Sequence, residues 1–214
     1  MKEMVRYALI KYFGRNGEII PPETENLVRI WHPKLGEFET VETFLEQAAK
    51  TGWDIDKTPR VALGTWRHHL LFHQPKVIKS LITELEKEGM LAVSFVADDP
   101  KFRERLEIYK PDLVIMNSHT REVPDFWEQL GVPRLHALWF TEESIDKWRK
   151  SNQTGMAKSQ IFHQIVSTEL KGATETLTAG GTESGHNSGE EIIPIPDRIR
   201  RIVGRAKGWI TLSR

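Results

Sequence analysis

Hydrophobic and polar positions change rhythm once along the chain, near residue 60. Before it, apolar residues recur at helical spacing. In "MVRYALIKYF" (4–13) Val5, Leu9, Tyr12 and Phe13 share one helical face, and "GRNG" then stops the helix. "IIPPETENLVRIWHP" reads as an extended, proline-flanked stretch. In "ETVETFLEQAAKTG" Val41, Phe44, Leu45 and Ala48 form the inner face of an amphipathic helix, with Gly52 just past its end.

From Arg60 onward, short runs that are apolar on both faces alternate with amphipathic ones. "RVALGTW", "LAVSFVA", "DLVIMNS" and "PRLHALWF" read as strands; "PKVIKSLITELEKEG", "DPKFRERLEIYK" and "EVPDFWEQLG" read as the helices between them. Strands of this kind suit a parallel sheet covered on both sides. The pattern predicts an α/β fold: an open, doubly wound, mostly parallel sheet of Rossmann-like or flavodoxin-like type. Strand order 2-1-3-4 with right-handed crossovers is expected, flanked by N- and C-terminal helices.

Beyond the fourth strand, "TEESIDKWRK" carries a capping pattern at Thr141 and Ser144, with Glu142 and Glu143 in the first turn. A further helix is expected from Ala157 to Leu170. "KGATETLTAGGTESGHNSGEE" has Leu177 as its one large apolar residue and reads as a loop, mobile over Ala179–Gly189. "IPDRIRRIVGRAKGWITLSR" closes the chain as a helix with Ile199, Ile202, Val203, Ala206 and Trp209 inward. The division that follows is an N-terminal helical and linker segment (1–55), the doubly wound domain (56–172), a flexible loop (173–190) and a C-terminal helix (191–214) packing on the domain or on a neighbour.

Composition narrows the function classes. The 214 residues include 30 basic and 30 acidic side chains, so the net charge is zero and no basic stripe points to nucleic acid. No apolar run approaches the roughly 18 residues of a membrane span, and the start lacks the apolar core of a secretory signal. There is no cysteine, hence no disulfide, thiolate metal site or Cys nucleophile. A cytoplasmic protein is the expectation. Dinucleotide, Walker-type and nucleophile-elbow motifs are all missing.

Candidate chemistry gathers where strands should end. Ligands of such sheets bind beyond the carboxyl ends of the strands, where the loops Thr65–His73, Asn117–Arg121 and Trp139–Glu143 would meet. "RVALGTWRHHLLFHQ" (60–74) ends a strand in Arg67, His68, His69 and His73. Three readings stay open: a metal site, an anion or carboxylate site using the Arg67 fork and the next helix end, and solvated strand-end residues. His69 and His73 are four apart, but Pro75 keeps them out of a common helix, so no closed metal site is expected. His119, in "NSHTRE", would face Arg67 and His69 across the crevice, with an acid such as Glu122 answering Arg67. His32, in "IWHP", reads as a hydrogen-bonded anchor holding the linker to the domain, and His136 as a satisfied core or edge histidine. The pairs Asp98–Asp99 and Glu142–Glu143 fall at helix starts, where the dipole accounts for them.

The order of segments carries a resemblance along nearly the whole chain. Trp31-His32-Pro33 is followed by Arg67-His68-His69-Leu70, "ELEKEG", Gly131-Val132-Pro133, "ESIDKW", Glu169-Leu170-Lys171-Gly172 and finally Asp197-Arg198-Ile199…Arg205-Ala206…Trp209…Leu212. This series resembles an internal portion of the large subunit of ATP-dependent tetrapyrrole metal chelatases, the family of the cobaltochelatase subunit CobN and the magnesium chelatase H subunit. The resemblance implies a domain that binds a corrin precursor or porphyrin for metal insertion, as in cobalamin-type biosynthesis. It implies no cofactor in this chain, divalent cobalt or magnesium as a substrate of the full enzyme, and ATP consumed by separate motor subunits. The remaining domains of the large subunit and those motors would be its partners. "RHHLL" leans to the cobalt branch and "IWHP" to the magnesium branch. Arg67 would hold a propionate or acetamide edge of the macrocycle, and His69 and His119 would act as proton acceptors or transient metal ligands. The chain would then be an excised piece or a naturally short relative. It departs from the family pattern at His68, at Lys171 and in "NSHTREVPD". Those departures support an alternative, a non-catalytic scaffold whose terminal helices expose Tyr7, Tyr12, Phe13, Ile202 and Trp209 and promote self-association.

Overall fold

The computed structural model is described for residues 9–14, 29–67, 70, 75–117, 124–151, 161–170, 172–185 and 191–213. The four strands read from the sequence form its centre. They are β3 (Arg60–Thr65), β4 (Leu91–Val96), β5 (Leu113–Met116) and β6 (Arg134–Ser144). They pair in parallel in the expected order, β4-β3-β5-β6.

The sheet then runs on beyond both ends. On one side "RIWHPKLGEF" folds as a hairpin, β1 (Ile30–His32) and β2 (Gly36–Phe38), with β1 antiparallel to β4. On the other, β7 (Glu175–Thr182) pairs in parallel with β6 and antiparallel with β8 (Ile193–Pro194). The result is one mixed, mostly parallel sheet of eight strands in the order β2-β1-β4-β3-β5-β6-β7-β8.

Side-chain alternation divides the core into two layers. Val61, Leu63, Leu113 and Ile115 face α2 (Lys76–Lys87) and the last helix, α7 (Pro196–Ser213). Ala62, Val93, Phe95, Val114 and Met116 face the opposite layer, made by α1 (Val41–Lys50), α3 (Phe102–Tyr109) and α4 (Pro124–Leu130). Helix α1 starts at Thr40, whose hydroxyl accepts the Thr43 N–H, and buries Val41, Phe44 and Ala48. The hairpin and α1, assigned from the sequence to a segment before the domain, thus belong to its sheet and core.

Three expectations are corrected. The loop expected over 173–190 is, in its first part, strand β7. Gly180 and Gly181 are there for packing: a Cβ on Gly180 would lie 2.6 Å from the Ile193 carbonyl oxygen and 2.8 Å from Val77, and one on Gly181 would lie 2.8 Å from the Phe140 ring. Secondly, β6 continues through Thr141, so the crevice loop expected at Trp139–Glu143 is strand. The cap of α5 (Ile145–Lys150) is Ser144 alone, accepting the Lys147 N–H at 3.2 Å. Thirdly, α7 turns Ile210 inward with Ile199, Ile202, Val203 and Ala206. Trp209 packs against the same core as expected while remaining partly buried, and its indole N–H donates to Glu175 Oε1. Ile202 therefore belongs to the core and not to an exposed patch. Other helical segments among the described residues include the short stretch 9–13, a π-helical turn at Ile161–Val166 and α6 (Ser167–Leu170). No described helix is long and apolar enough to cross a membrane.

Candidate functional site

Parallel strands that end together leave their last polar residues along one rim, and here that rim is short of hydrogen bonds. Seven buried side-chain nitrogen or oxygen atoms lack a hydrogen-bond partner among the described residues. Four of these belong to residues at or just past carboxyl ends: Thr65 Oγ1, Arg67 Nε, Asn117 Oδ1 and Thr182 Oγ1. An unpaired buried polar atom costs about 1–3 kcal/mol. Their concentration on one rim marks it as the candidate site.

Strand β3 delivers Arg67. Its backbone N–H donates to Asp98 Oδ1 at 3.1 Å, and its Nε lies 3.9 Å from Asp98 Oδ2. Both side chains are partly exposed, Arg67 by 23% and Asp98 by 35%. At 3.9 Å the charges attract, but the guanidinium fork is not locked in a bidentate pair. Among the described residues the acid that meets Arg67 is Asp98, in the turn after β4; Glu122, the acid suggested by the sequence, lies outside the described residues. Asp98 and Asp99 are also more than helix-start acids: Asp99 accepts the Lys101 N–H at 2.8 Å and faces the buried Arg105 at 3.0 Å.

Asn117 follows β5 and was not singled out from the sequence. Its backbone N–H donates to the Gly64 carbonyl at 2.7 Å, and its Nδ2 donates to the Ala137 carbonyl at 2.7 Å. One residue thereby ties β3, β5 and β6 together at the rim. The signal available in sequence was only that each of two apolar strands, "RVALGT" and "LVIMN", ends in a single polar residue.

His68, His69, His73, His119 and Glu122 lie outside the described residues. The strands leading into the segments that carry His69 and His119, β3 and β5, are hydrogen-bonded neighbours. Helix α2 begins at Lys76 with Pro75 as its cap and has no side-chain cap. Among the described residues, no three His, Asp or Glu side chains come together as a metal site.

Two further described histidines lie elsewhere. His136 is buried within β6. His32 is buried in β1, donates from Nε2 to Glu86 Oε1 at 2.9 Å, and accepts the Leu35 N–H at 3.1 Å and the Lys34 N–H at 3.3 Å on Nδ1. It is the anchor expected of it. Burial pushes the Glu86 carboxyl up, but hydrogen bonds and charge from His32 and then Lys34 outweigh this and hold it below its ordinary value. Farther along the rim, beside β7, Lys76, Glu183, Ser184, Glu191 and Ile193 line an open depression of about 550 Å³, with Lys76 paired to Glu191.

Known proteins are similar to this chain in sequence or in fold. The chain is 24% identical over 230 residues to the magnesium-chelatase H subunit of Chlorobaculum parvum, covering 98% of this chain and 17% of that protein. It is 33% identical over 86 residues to the uncharacterized protein MJ1441 of Methanocaldococcus jannaschii, covering 40% of this chain and 7% of that one. Among solved structures, the catalytic subunit of cobaltochelatase from Mycobacterium tuberculosis superposes with a TM-score of 0.64 at 16% identity, over 95% of this chain and 17% of that one. That structure shares the fold. The chain spans about one sixth of the length of these chelatase subunits. The family model described as CobN/Magnesium Chelatase matches residues 1–214, and the chain belongs to that family.

Proposed function

We propose that this chain is a tetrapyrrole-handling domain of a metal chelatase large subunit, and that the carboxyl rim of its sheet holds the periphery of the macrocycle. The observation that carries the reading is Arg67, a permanent cation on the rim whose acidic neighbour stands 3.9 Å away without a bidentate lock. Such a fork suits the propionate or acetate edge of a porphyrin or corrin precursor. His69 and His119 would serve as proton acceptors or transient ligands of the incoming metal, since imidazole titrates near neutrality. Cobalt insertion in cobalamin-type biosynthesis is preferred over magnesium insertion, on the "RHHLL" segment. The metal is substrate, the remaining subunit domains complete the site, and separate motor subunits would spend the ATP in the cytoplasm. A shared family, the likeness to a magnesium-chelatase H subunit and the fold shared with a cobaltochelatase subunit support the reading.

The test is titration of a porphyrin and a corrinoid, each bearing free carboxylates, into wild type and Arg67→Ala. Loss of a charge-assisted hydrogen bond should weaken binding about ten- to a hundredfold. Equal affinity for both proteins removes Arg67 from the proposal. A scaffold role is the second reading, favoured by the exposed apolar residues Tyr12, Phe13, Phe162 and Leu170. Concentration-dependent sedimentation with no tetrapyrrole binding would decide for it.

A further inference from the structure

We infer that one flank of α7, continued by Arg149 of α5, is a docking surface for an acidic helix of a partner protein. The surface runs along the β7 side of the sheet, three strands from the one that delivers Arg67, and is independent of the ligand rim.

The zero net charge of the chain is unevenly spread. Helix α5 carries three cations and one acid, and α7 carries five cations and one acid. The two helices meet where Arg149 hydrogen-bonds to Asp197 and where the Arg198 guanidinium lies 5.1 Å over the Trp148 ring. Burial of Ile199, Ile202, Val203, Ala206 and Ile210 turns Arg198, Arg201 and Arg205 onto a single flank of α7, at i, i+3 and i+7. Arg205 Nε donates to both oxygens of Glu175, at 3.0 and 2.9 Å, and Arg201 acts on the same carboxyl by its charge. The row thus runs from Arg149 to Arg205.

Two acids answer four arginines. Asp197 serves Arg149 and Arg198, and Glu175 serves Arg205 and Arg201, so half of the positive charge is left over among the described residues. Arg149, Arg201 and Arg205 are exposed. The contacts they do make hold the guanidinium groups in place, which reduces the side-chain entropy lost when a partner docks. Along the α7 axis Arg198, Arg201 and Arg205 stand about 4.5 and 6 Å apart. Acids three and four residues apart on a facing helix repeat at the same intervals. Carboxylate is also the chemistry the row already accepts, at Asp197 and Glu175. Single-stranded nucleic acid fits less well, because its bases need open aromatic faces. Trp148 lies against both Arg198 and Phe140, and the Trp209 indole is engaged with Glu175.

The probe is an alanine-based helical peptide with glutamates spaced three and four residues apart, titrated into the 214-residue chain. Its glutamine counterpart and an oligothymidylate of equal charge are run beside it. The glutamate peptide should bind, less tightly as salt is raised, and the glutamine peptide should not. Arg201→Glu should weaken binding about tenfold, since it replaces attraction by repulsion. Arg201→Lys keeps the charge and should bind within about twofold of wild type, which separates loss of charge from damage to the fold. Arg200→Glu makes the same reversal on the other flank, beside Lys207, and should also stay within about twofold. Arg67→Ala should leave the peptide unaffected, so failure of the rim as a ligand site does not touch this inference. Equal losses from Arg200→Glu and Arg201→Glu would reduce the row to diffuse attraction and overturn it. So would tighter binding of the oligothymidylate than of the peptide, or no binding of the peptide to wild type.

Discussion

A histidine that accepts two backbone N–H groups on one ring nitrogen has no choice of tautomer. His32 takes the Lys34 and Leu35 amides on Nδ1, so its proton sits on Nε2 and is given to Glu86. The pair is nearly dry, with side chains 2% and 7% exposed. Because the Glu86 carboxyl titrates below its ordinary value of 4.5 in the fold, its charge adds stability above that pH and the contribution fades as pH falls through the folded value. Glu86→Gln should therefore cost about 1–3 kcal/mol in denaturant unfolding at pH 7, and the gap from wild type should narrow as the pH is taken below 4.5. A constant gap would make the effect one of packing. His32 was legible as an anchor because Pro33 holds it extended. Glu86, 54 positions away on an apparently solvated helix face, was not. Arg67 was legible at its strand end, while Asp98 passed for a helix-start acid because nothing local shows that β4 ends beside β3.

Glycine misleads most at the scale of the element. "TAGGT" reads as a loop on composition, yet Gly180 and Gly181 lie inside β7 against Ile193, Val77 and Phe140. The same residue inside α7, at Gly204 and Gly208, meets nothing within 4 Å of a built Cβ. Opposite signs follow for one substitution. Gly180→Ala should destabilise the protein by about 1–3 kcal/mol through overpacking. Gly204→Ala should stabilise it by about 0.5–1 kcal/mol through helix propensity and a less flexible unfolded chain. Thermal unfolding of the two variants side by side checks the pair, and a shared sign would refute the packing account. The central strands were legible because both faces are apolar along short, clearly bounded runs. Strand β7 was hidden because its neighbours supply the bulk its own side chains lack, and the hairpin because such brief strands have no period to detect.

For the whole molecule, helices cover both faces of the sheet, and the last helix is tied back to it. Glu175, at the start of β7, receives both Arg205 and the Trp209 indole, and Arg205 holds its carboxyl below the ordinary range. The order of the four inner strands followed from crossover rules acting on a clear alternation of elements. How far the sheet extended did not, since β7 is rich in glycine and threonine and the other added strands, β1, β2 and β8, are only two or three residues long. That brevity has an effect of its own. One margin is β2, three residues of which Gly36 and Glu37 are exposed; the other is β8, two residues ending in Pro194, which has no N–H to give. An eight-stranded sheet is thus terminated at both ends by segments too short, too polar or too poor in donors to template another chain. Pro194→Val should restore a donor at one margin and promote amyloid-type growth under mild heating, read by dye binding and light scattering; unchanged behaviour would mean the margin is shielded by some other segment. The trimmings of the sheet act as stoppers, keeping a strand-rich layer from copying itself onto its neighbours.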